Sequence, residues 1–294
     1  MFYFLLPFLL PFFLNAEIKI ITVVFNRPEF IPLQKRCFDT FLQDEYELIV
    51  YNNAADPAIA DQIAHTCKEW HVTHHRIPDH ARRNTDPCTS HATALNYAFS
   101  HFTHNFKGKV LLFENDDFLI QPHSFEKEMK GVAFGYKPYA WMWDKQGKWL
   151  CNPSLTYPHA NMAFFDFSKI THPELINWSG MTEQEYLFDT GGKMFYFLHS
   201  NPKMTTKTID EVASWDIKPN RNFFQPLVSS GVLPQSYIPL LEELLATIPS
   251  EVQFLNRYTV LHYWIGSNWN NKEQAFHDKK FQAVSKFIDK ITKS

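Results

Sequence analysis

Residues 109–117 read KVLLFENDD, and this stretch decides the predicted fold. A short apolar run that ends in a polar turn is typical of a buried β-strand. The acidic side chains of Glu114, Asp116 and Asp117 follow directly after this strand. Because ligands bind at the carboxyl ends of parallel strands, the sequence predicts a functional edge at this point.

Strands and helices alternate upstream of this stretch. The runs IKIITVVF at residues 18–25 and ELIVY at residues 47–51 predict two more buried strands. Apolar residues at three- and four-residue intervals predict amphipathic helices over residues 32–42, 59–70 and 91–102. The alternation predicts an α/β fold with a mainly parallel sheet flanked by helices.

The second half of the chain carries weaker signals. Strand-like runs lie near residues 139–143 and 160–165, Gly191 and Gly192 predict a turn, and helices with one late strand complete the chain. The 294 residues contain no internal repeat, low-complexity tract or long linker. We therefore predict a single domain over residues 17–294.

The N-terminus differs from the rest of the chain. Residues 2–14 are almost wholly apolar, and residues 14–16 (LNA) before Glu17 resemble a cleavage site with small residues. The run is shorter than the roughly 20 residues that span a bilayer. Residues 1–16 are thus predicted to be a signal peptide that directs the protein to the secretory pathway, with an uncleaved, membrane-associated segment as the alternative.

Charge and cysteine spacing exclude several classes of protein. The net charge is -3 and the 28 basic residues are scattered, which argues against a nucleic-acid partner. The four cysteines include no C-x-x-C pair, and the 14 histidines show no H-E-x-x-H spacing, so neither a zinc ribbon nor a zinc protease helix is predicted. Two disulfides are possible among Cys37, Cys67, Cys88 and Cys151.

The order of the elements over residues 18 to about 192 resembles the GT-A fold of nucleotide-diphospho-sugar transferases, particularly the family-2-like enzymes. Asn26 and Arg27 after the first strand are similar to the family's opening turn. The turn from Asn53 to Asp56 occupies the place of the one that contacts base and ribose in the family. Glu114 replaces the first Asp of the family's Asp-x-Asp motif, and Asp116 is the second.

The resemblance implies a glycosyltransferase that moves a sugar from a nucleotide-diphosphate donor to a hydroxyl of a glycan, lipid or protein acceptor. A hard cation such as Mn2+ or Mg2+ would neutralise the leaving diphosphate. Asp116 is expected to ligate it directly, Asp117 directly or through water, and His262 is similar in position to the late histidine that completes the metal site in many family members. The predicted donor-binding residues are Asn26, Arg27, Asn53, Asp56, Arg82, Arg83 and Glu114.

An inverting transfer also needs a carboxylate that removes the proton of the acceptor hydroxyl. Glu183, Glu185 and Asp189 are the candidates, and Asp189 ranks first because glycine at 191 and 192 lets a backbone approach a ligand closely. Trp141, Trp143 and Tyr157 are candidates for an apolar platform under a sugar ring.

Purely structural roles for the same residues stay open as alternatives. The acidic cluster can be a solvated turn, His262 a half-buried strand histidine, and Asp189 a turn cap. Two rival functions also stay open: a sugar nucleotidyltransferase, which the absence of a glycine-rich loop after the first strand disfavours, and a secreted carbohydrate-binding relative whose catalytic site has decayed.

Overall fold

The computed structural model describes residues 18–79, 87–152, 155–183, 186–213, 221–249, 252–263 and 273–293. Residues 1–17, which contain the predicted signal segment, lie outside the described residues. The helices are α1 (Phe30–Phe41), α2 (Pro57–Glu69), α3 (Pro87–Ser100), α4 (Phe125–Glu128), α5 (Met194–Ser200), α6 (Arg221–Ser229), α7 (Ile238–Thr247) and α8 (Gln274–Thr292).

The strands belong to three sheets. They are β1 (Ile18–Val24), β2 (Tyr46–Asn52), β3 (Thr73–Arg76), β4 (Lys109–Phe113), β5 (Asp117–Leu119), β6 (Phe134–Tyr139), β7 (Trp141–Asp144), β8 (Trp149–Cys151), β9 (Tyr157–Asp166), β10 (Met181–Glu183), β11 (Tyr186–Phe188), β12 (Thr206–Thr208), β13 (Glu211–Ala213), β14 (Val252–Leu255) and β15 (Val260–Tyr263).

The central sheet has the strand order β12-β6-β9-β4-β1-β2-β3. β1 pairs in parallel with β2 and β4, β2 with β3, and β12 with β6. β9 runs antiparallel to both of its neighbours, β4 and β6. The predicted α/β fold with a mainly parallel sheet flanked by helices is therefore confirmed, while the single domain stays a prediction.

Both faces of the central sheet are covered, which is why its inner strands read as continuous apolar runs. Ile20 of β1 packs in one buried cluster with Phe38 of α1 and Ile288 of α8. Ile21, the next residue of the strand, packs in a second cluster with Leu95 of α3. Alternation of side chains along a strand thus sends neighbouring residues into two cores.

The second sheet has the order β13-β14-β15-β5, and it corrects the prediction of one late strand. Its strands span three or four residues each, so periodicity over such lengths carries little signal. The hairpin between β14 and β15 turns through Asn256, Arg257 and Tyr258, all at positive φ and none of them glycine. The usual glycine signal of a tight turn is therefore missing.

The third sheet has the order β10-β11-β7-β8, and its strand β7 overlaps the one strand that was predicted near residues 139–143. The structure divides that run at Ala140 between β6 and β7, which belong to different sheets.

All four cysteines are free thiols, so the possible disulfides are not formed. Among the described residues, no helix has the length and apolar character required to span a membrane.

Glu128 connects three parts of the fold. Its carboxylate accepts hydrogen bonds from Lys207 of β12 (2.6 Å) and from Asn256 in the β14–β15 turn (2.8 Å), and it pairs with His123 (2.8 Å). Burial opposes ionisation of Glu128, but the hydrogen bonds from His123, Lys207 and Asn256 outweigh it and lower the pKa of this carboxyl to about 2.

Replacing Glu128 by Gln is expected to lower the free energy of unfolding by about 2 kcal/mol at neutral pH. A depressed folded-state pKa stabilises the fold above the ordinary value of 4.5, and this contribution is lost as the pH falls through about 2. Urea unfolding of both proteins from pH 7 downward measures the difference, which should close at the acid end. Glu126→Gln on the same helix is the matched control, and a difference independent of pH would contradict the prediction.

Candidate metal and donor site

The acidic cluster forms a tight turn between β4 and β5. The backbone N–H of Asp117 donates to the carbonyl of Glu114 (3.0 Å), and that of Glu114 donates to the carbonyl of Asn161 on β9 (3.1 Å). The buried amide of Gln34 on α1 donates to the carbonyls of Glu114 (2.7 Å) and Asp117 (3.0 Å). The turn is thus fixed from both neighbouring elements and lies at the predicted edge of the sheet.

The second sheet brings His262 to this turn. β15 pairs with β5 in antiparallel register, which places His262 opposite Asp117. The backbone N–H of Tyr263 donates to the carbonyl of Asp116 (2.8 Å) and closes the contact. A residue 145 positions later in the sequence therefore reaches the acidic cluster through strand pairing.

Three side chains converge into a group that can hold a metal ion. Ligand atoms of Glu114, Asp116 and His262 all lie within 4.8 Å of one another. The Nε2 atom of His262 is 3.9 Å from Oε2 of Glu114 and 3.8 Å from Oδ1 of Asp116. Two carboxylate oxygens and one imidazole nitrogen form a donor set that can hold a divalent metal ion.

Asp117 is held differently from the other two acidic residues. Its side chain is fully buried, and its Oδ2 accepts a hydrogen bond from the backbone N–H of Glu114 (3.3 Å). Its Oδ1 is buried with no hydrogen-bond partner in the described part of the chain. Asp117 lies beside the group formed by Glu114, Asp116 and His262 but outside it, where an unsatisfied oxygen can accept from a metal-bound water.

Burial and mutual repulsion perturb the acidic side chains. Burial raises the pKa of Glu114 to about 7, with the charge of Asp189 adding to the effect and Lys137 opposing it. Burial and the charges of Asp116 and Glu114 raise the pKa of Asp117 well above its ordinary value. A divalent cation relieves this crowding of negative charge, so the residues present fit a metal site.

Burial and nearby positive charge favour the neutral form of His262. Burial lowers its pKa well below the ordinary value, and the positive charges of Lys137 and Lys280 lower it further. A neutral imidazole has one nitrogen with a free lone pair, which is the form that ligates metals. The ligand role of His262 stays a prediction, which its position beside Glu114 and Asp116 permits.

Three residues at the site were not identified from the sequence. Asn161 of β9 donates to Oε2 of Glu114 (3.1 Å) and accepts from the ammonium of buried Lys137 (3.3 Å). His91 of α3 lies 3.6 Å from Glu114. The one available signal was Asn161 itself, a polar residue within an apolar run. A polar side chain that is buried in such a run needs hydrogen-bond partners.

Asp189 interacts electrostatically with Glu114 and His91. Its negative charge raises the pKa of Glu114 and opposes the lowering of the His91 pKa that burial causes. Its Oδ1 accepts a hydrogen bond from the backbone N–H of Thr190 (2.7 Å), and its own N–H donates to the hydroxyl of Tyr157 (3.2 Å). Asp189 thus makes the predicted turn contact, and its charge acts on Glu114 and His91.

The predicted donor-binding residues after β1 and β2 lie at the same sheet edge, since both strands are parallel to β4. Buried Asn53 donates from its side chain to Ser90 of α3 (3.2 Å). Asp56 is exposed and caps α2 by accepting from the N–H of Ala58 (2.8 Å). The observed hydrogen bond of Asp56 therefore caps the N-terminus of α2.

Arg27 is buried against protein side chains. Its guanidinium pairs with Glu29 (2.5 Å) and lies over the rings of Phe30 (4.9 Å) and Phe281 (5.4 Å). Asn26 is half-buried in the same turn. Arg82, Arg83 and Glu185, which were predicted from the sequence as donor-binding and catalytic residues, lie outside the described residues.

The proposed aromatic platform divides into buried and exposed members. Tyr157 is fully buried, and its hydroxyl donates to the carbonyl of Trp141 (3.1 Å). Trp141 itself is 45% exposed, and Trp143 lies two residues further along β7 on the same face. Of the three side chains, Tyr157 therefore packs the core and cannot stack on a sugar.

Gly191 lets the backbone pack closely against another strand, whereas the sequence predicted that it lets the backbone approach a ligand. Its φ is +97°, and a Cβ there would lie 2.1 Å from the carbonyl oxygen of Pro158 on β9. The glycine therefore permits close contact between the turn after Asp189 and β9. This contact holds the Asp189 turn against the central sheet.

Gly191→Ala is expected to lower the free energy of unfolding by at least about 3 kcal/mol, because positive φ and backbone overlap add. Gly131→Ala is the matched control: φ is +84° there and no atom lies within 4 Å of the added Cβ. Positive φ alone should cost that variant about 1 kcal/mol. Thermal and urea unfolding measure both, and equal losses would show that the contact with Pro158 is not restrictive.

No protein-family model matches the sequence, and no curated protein sequence matches it significantly. Among solved structures, the mannosyltransferase PcManGT from Pyrobaculum calidifontis in complex with GDP-Man and Mn2+ is similar with a TM-score of 0.41 and 10% identity, over 92% of this chain and 74% of that one.

Two further glycosyltransferase structures are similar at the same level. The bifunctional WbbM has a TM-score of 0.42 and 10% identity, over 95% of this chain and 52% of that one. GlyE of Streptococcus pneumoniae TIGR4 has a TM-score of 0.40 and 11% identity, over 94% and 63%. The chain thus spans about half to three quarters of these proteins. Likeness at this level assigns neither activity nor site residues to this chain.

Proposed function

We propose that this protein transfers a glycosyl group from a nucleotide-diphosphate sugar to a hydroxyl acceptor, with a divalent cation held by Glu114, Asp116 and His262. The convergence of these three side chains at the carboxyl end of β4 carries the proposal. The resemblance of residues 110–117 to an Asp-x-Asp strand and turn supports the choice of reaction. The edge where β1, β2 and β4 end is also where α/β folds bind nucleotides.

The donor set favours Mn2+ over Mg2+, because an imidazole nitrogen is a better ligand for the former. Bound at this site, the cation supplies positive charge against the diphosphate that leaves as the glycosidic bond breaks. The protein's contribution is to hold the ligands in place: Gln34 fixes the turn, and Asn161 orients the carboxylate of Glu114. Fixed dipoles and charges of this kind need no reorganisation during the reaction.

Asp189 is proposed as the general base of an inverting transfer. In that reaction the acceptor oxygen bonds to the anomeric carbon, the bond from that carbon to the diphosphate breaks, and the acceptor proton passes to the base. Oδ1 of Asp189 accepts from the backbone of Thr190, which orients the carboxylate.

Asp116→Asn should reduce Mn2+ affinity at least about tenfold while keeping the turn, because it removes a charged ligand but preserves the side-chain shape. Metal-dependent hydrolysis and transfer of the donor should fall in parallel. Electron paramagnetic resonance of free Mn2+ and a screen of nucleotide sugars with and without Mn2+ measure the two effects. Asp39→Asn, on the exposed face of α1, makes the same charge change as a control, and equal Mn2+ affinity in both variants would reject the metal site.

Asp189→Asn should lower the transfer rate by at least about a hundredfold and leave donor affinity within about twofold. The change removes the proton acceptor and keeps the size of the side chain. Calorimetric titration of donor with Mn2+ and steady-state transfer rates separate binding from chemistry. Unchanged transfer would eliminate the base role, whereas lost donor binding would make Asp189 a binding residue. Donor binding without turnover by the unsubstituted protein would favour the decayed carbohydrate-binding relative.

A further inference from the structure

His262 is held between two side-chain amides, one at each ring nitrogen. Its Nδ1 lies 2.7 Å from Oε1 of Gln253, and its Nε2 lies 3.2 Å from Nδ2 of Asn161. All three side chains are buried. The imidazole is therefore restrained at both ends, and the hydrogen-bond partners decide which nitrogen carries the proton.

Lys137 sets the direction of this hydrogen-bond chain. Its ammonium can only donate, so the oxygen of Asn161 faces Lys137 (3.3 Å) and the amide N–H2 faces Glu114 and His262. An N–H of Asn161 then donates to Nε2 of His262, which stays the unprotonated nitrogen as long as the proton on Nδ1 has an acceptor. The proton of the neutral ring is on Nδ1, and it is donated to Oε1 of Gln253.

Strand register makes Gln253 the fixed partner of His262. The two residues are directly opposed in the antiparallel pair of β14 and β15, so their side chains extend on the same face. The neighbours Val252, Phe254 and Leu255 are buried and apolar. A buried amide among such residues is costly without a hydrogen bond, and the bond to His262 compensates for that cost.

We propose that Gln253 is a positioning residue that holds His262 in the Nδ1–H tautomer, so that the cation can take the place of the Asn161 N–H at the Nε2 lone pair while Asn161 keeps its hydrogen bond to Glu114. The proposal rests on the metal site of the proposed function. The other tautomer would present an N–H to the cation in place of a lone pair. Partners at the far nitrogen of a ligating histidine typically change metal affinity by about 10- to 100-fold when they are removed.

Gln253→Met tests this role, because methionine keeps the length of the side chain and removes the strong acceptor. Gln253→Glu restores an acceptor oxygen and serves as the rescue. Gln121→Met is the matched control: the Gln121 amide donates to the carbonyl of Tyr258 in the β14–β15 turn (2.7 Å). The control thus makes the same chemical change at the same hairpin without altering the partner of His262.

Long-range proton–nitrogen NMR of the metal-free proteins reports the tautomer directly. The unsubstituted protein, Gln121→Met and Gln253→Glu should show protonation of His262 at Nδ1, whereas Gln253→Met should show a substantial Nε2–H population. Mn2+ affinity, measured by electron paramagnetic resonance, should fall about 10- to 100-fold in Gln253→Met and recover in Gln253→Glu. A loss of packing alone would not change the tautomer.

An unchanged tautomer and unchanged Mn2+ affinity in folded Gln253→Met would overturn the positioning role and leave the metal site intact. An unsubstituted protein that does not bind Mn2+ would overturn the metal site itself. If Gln253→Met does not fold, Gln253→Asn replaces it, because the shorter amide keeps the polarity but withdraws the acceptor from Nδ1. The same tautomer change and affinity loss are expected there, and their absence would overturn the proposal.

Discussion

The hydrogen bonds from the Gln34 amide to the carbonyls of Glu114 and Asp117 are the contact on which the candidate site depends. They hold both ends of the turn that carries the acidic side chains. Because Gln34 belongs to α1, packing of that helix on the sheet is transmitted to the carboxylates. The same turn continues into β5, whose pairing with β15 positions His262. One buried amide therefore couples the central sheet to the second sheet.

The site concentrates negative charge in a buried region from which water is excluded. Burying these like charges together lowers the stability of the fold. Burial and mutual repulsion raise the pKa of Glu114 and of Asp117, and buried Lys137 offsets part of this cost. Such perturbation is common where a protein is organised to bind or react with a charged group. The buried charged and polar side chains of this site therefore need hydrogen-bond partners. Asn161 provides them by bridging Lys137 and Glu114.

Strong periodicity in the first third of the sequence was enough to predict β1, β2, β4 and the helices between them. Glu114 and Asp116 could be placed because they follow a predicted strand, and His262 because of the resemblance. Asn161 and Gln253 could not, since their function arises from strand register between distant segments, which periodicity does not encode. The turn at residues 256–258 was also hidden, because no glycine marks it and only Asn256 is of a residue type that favours left-handed backbone.

Asn161 and Asp189 are held by strands that differ in length and in position within their sheets. Asn161 lies within a long strand that is hydrogen-bonded to β4 on one side and close to its pairing with β6 on the other. Asp189 instead follows β11, a strand of three residues. Amide hydrogens in a central strand exchange with solvent mainly through global unfolding, whereas those near short peripheral strands exchange through local opening. The backbone of Asn161 is thus expected to open only with the whole fold, whereas the turn at Asp189 is expected to open locally.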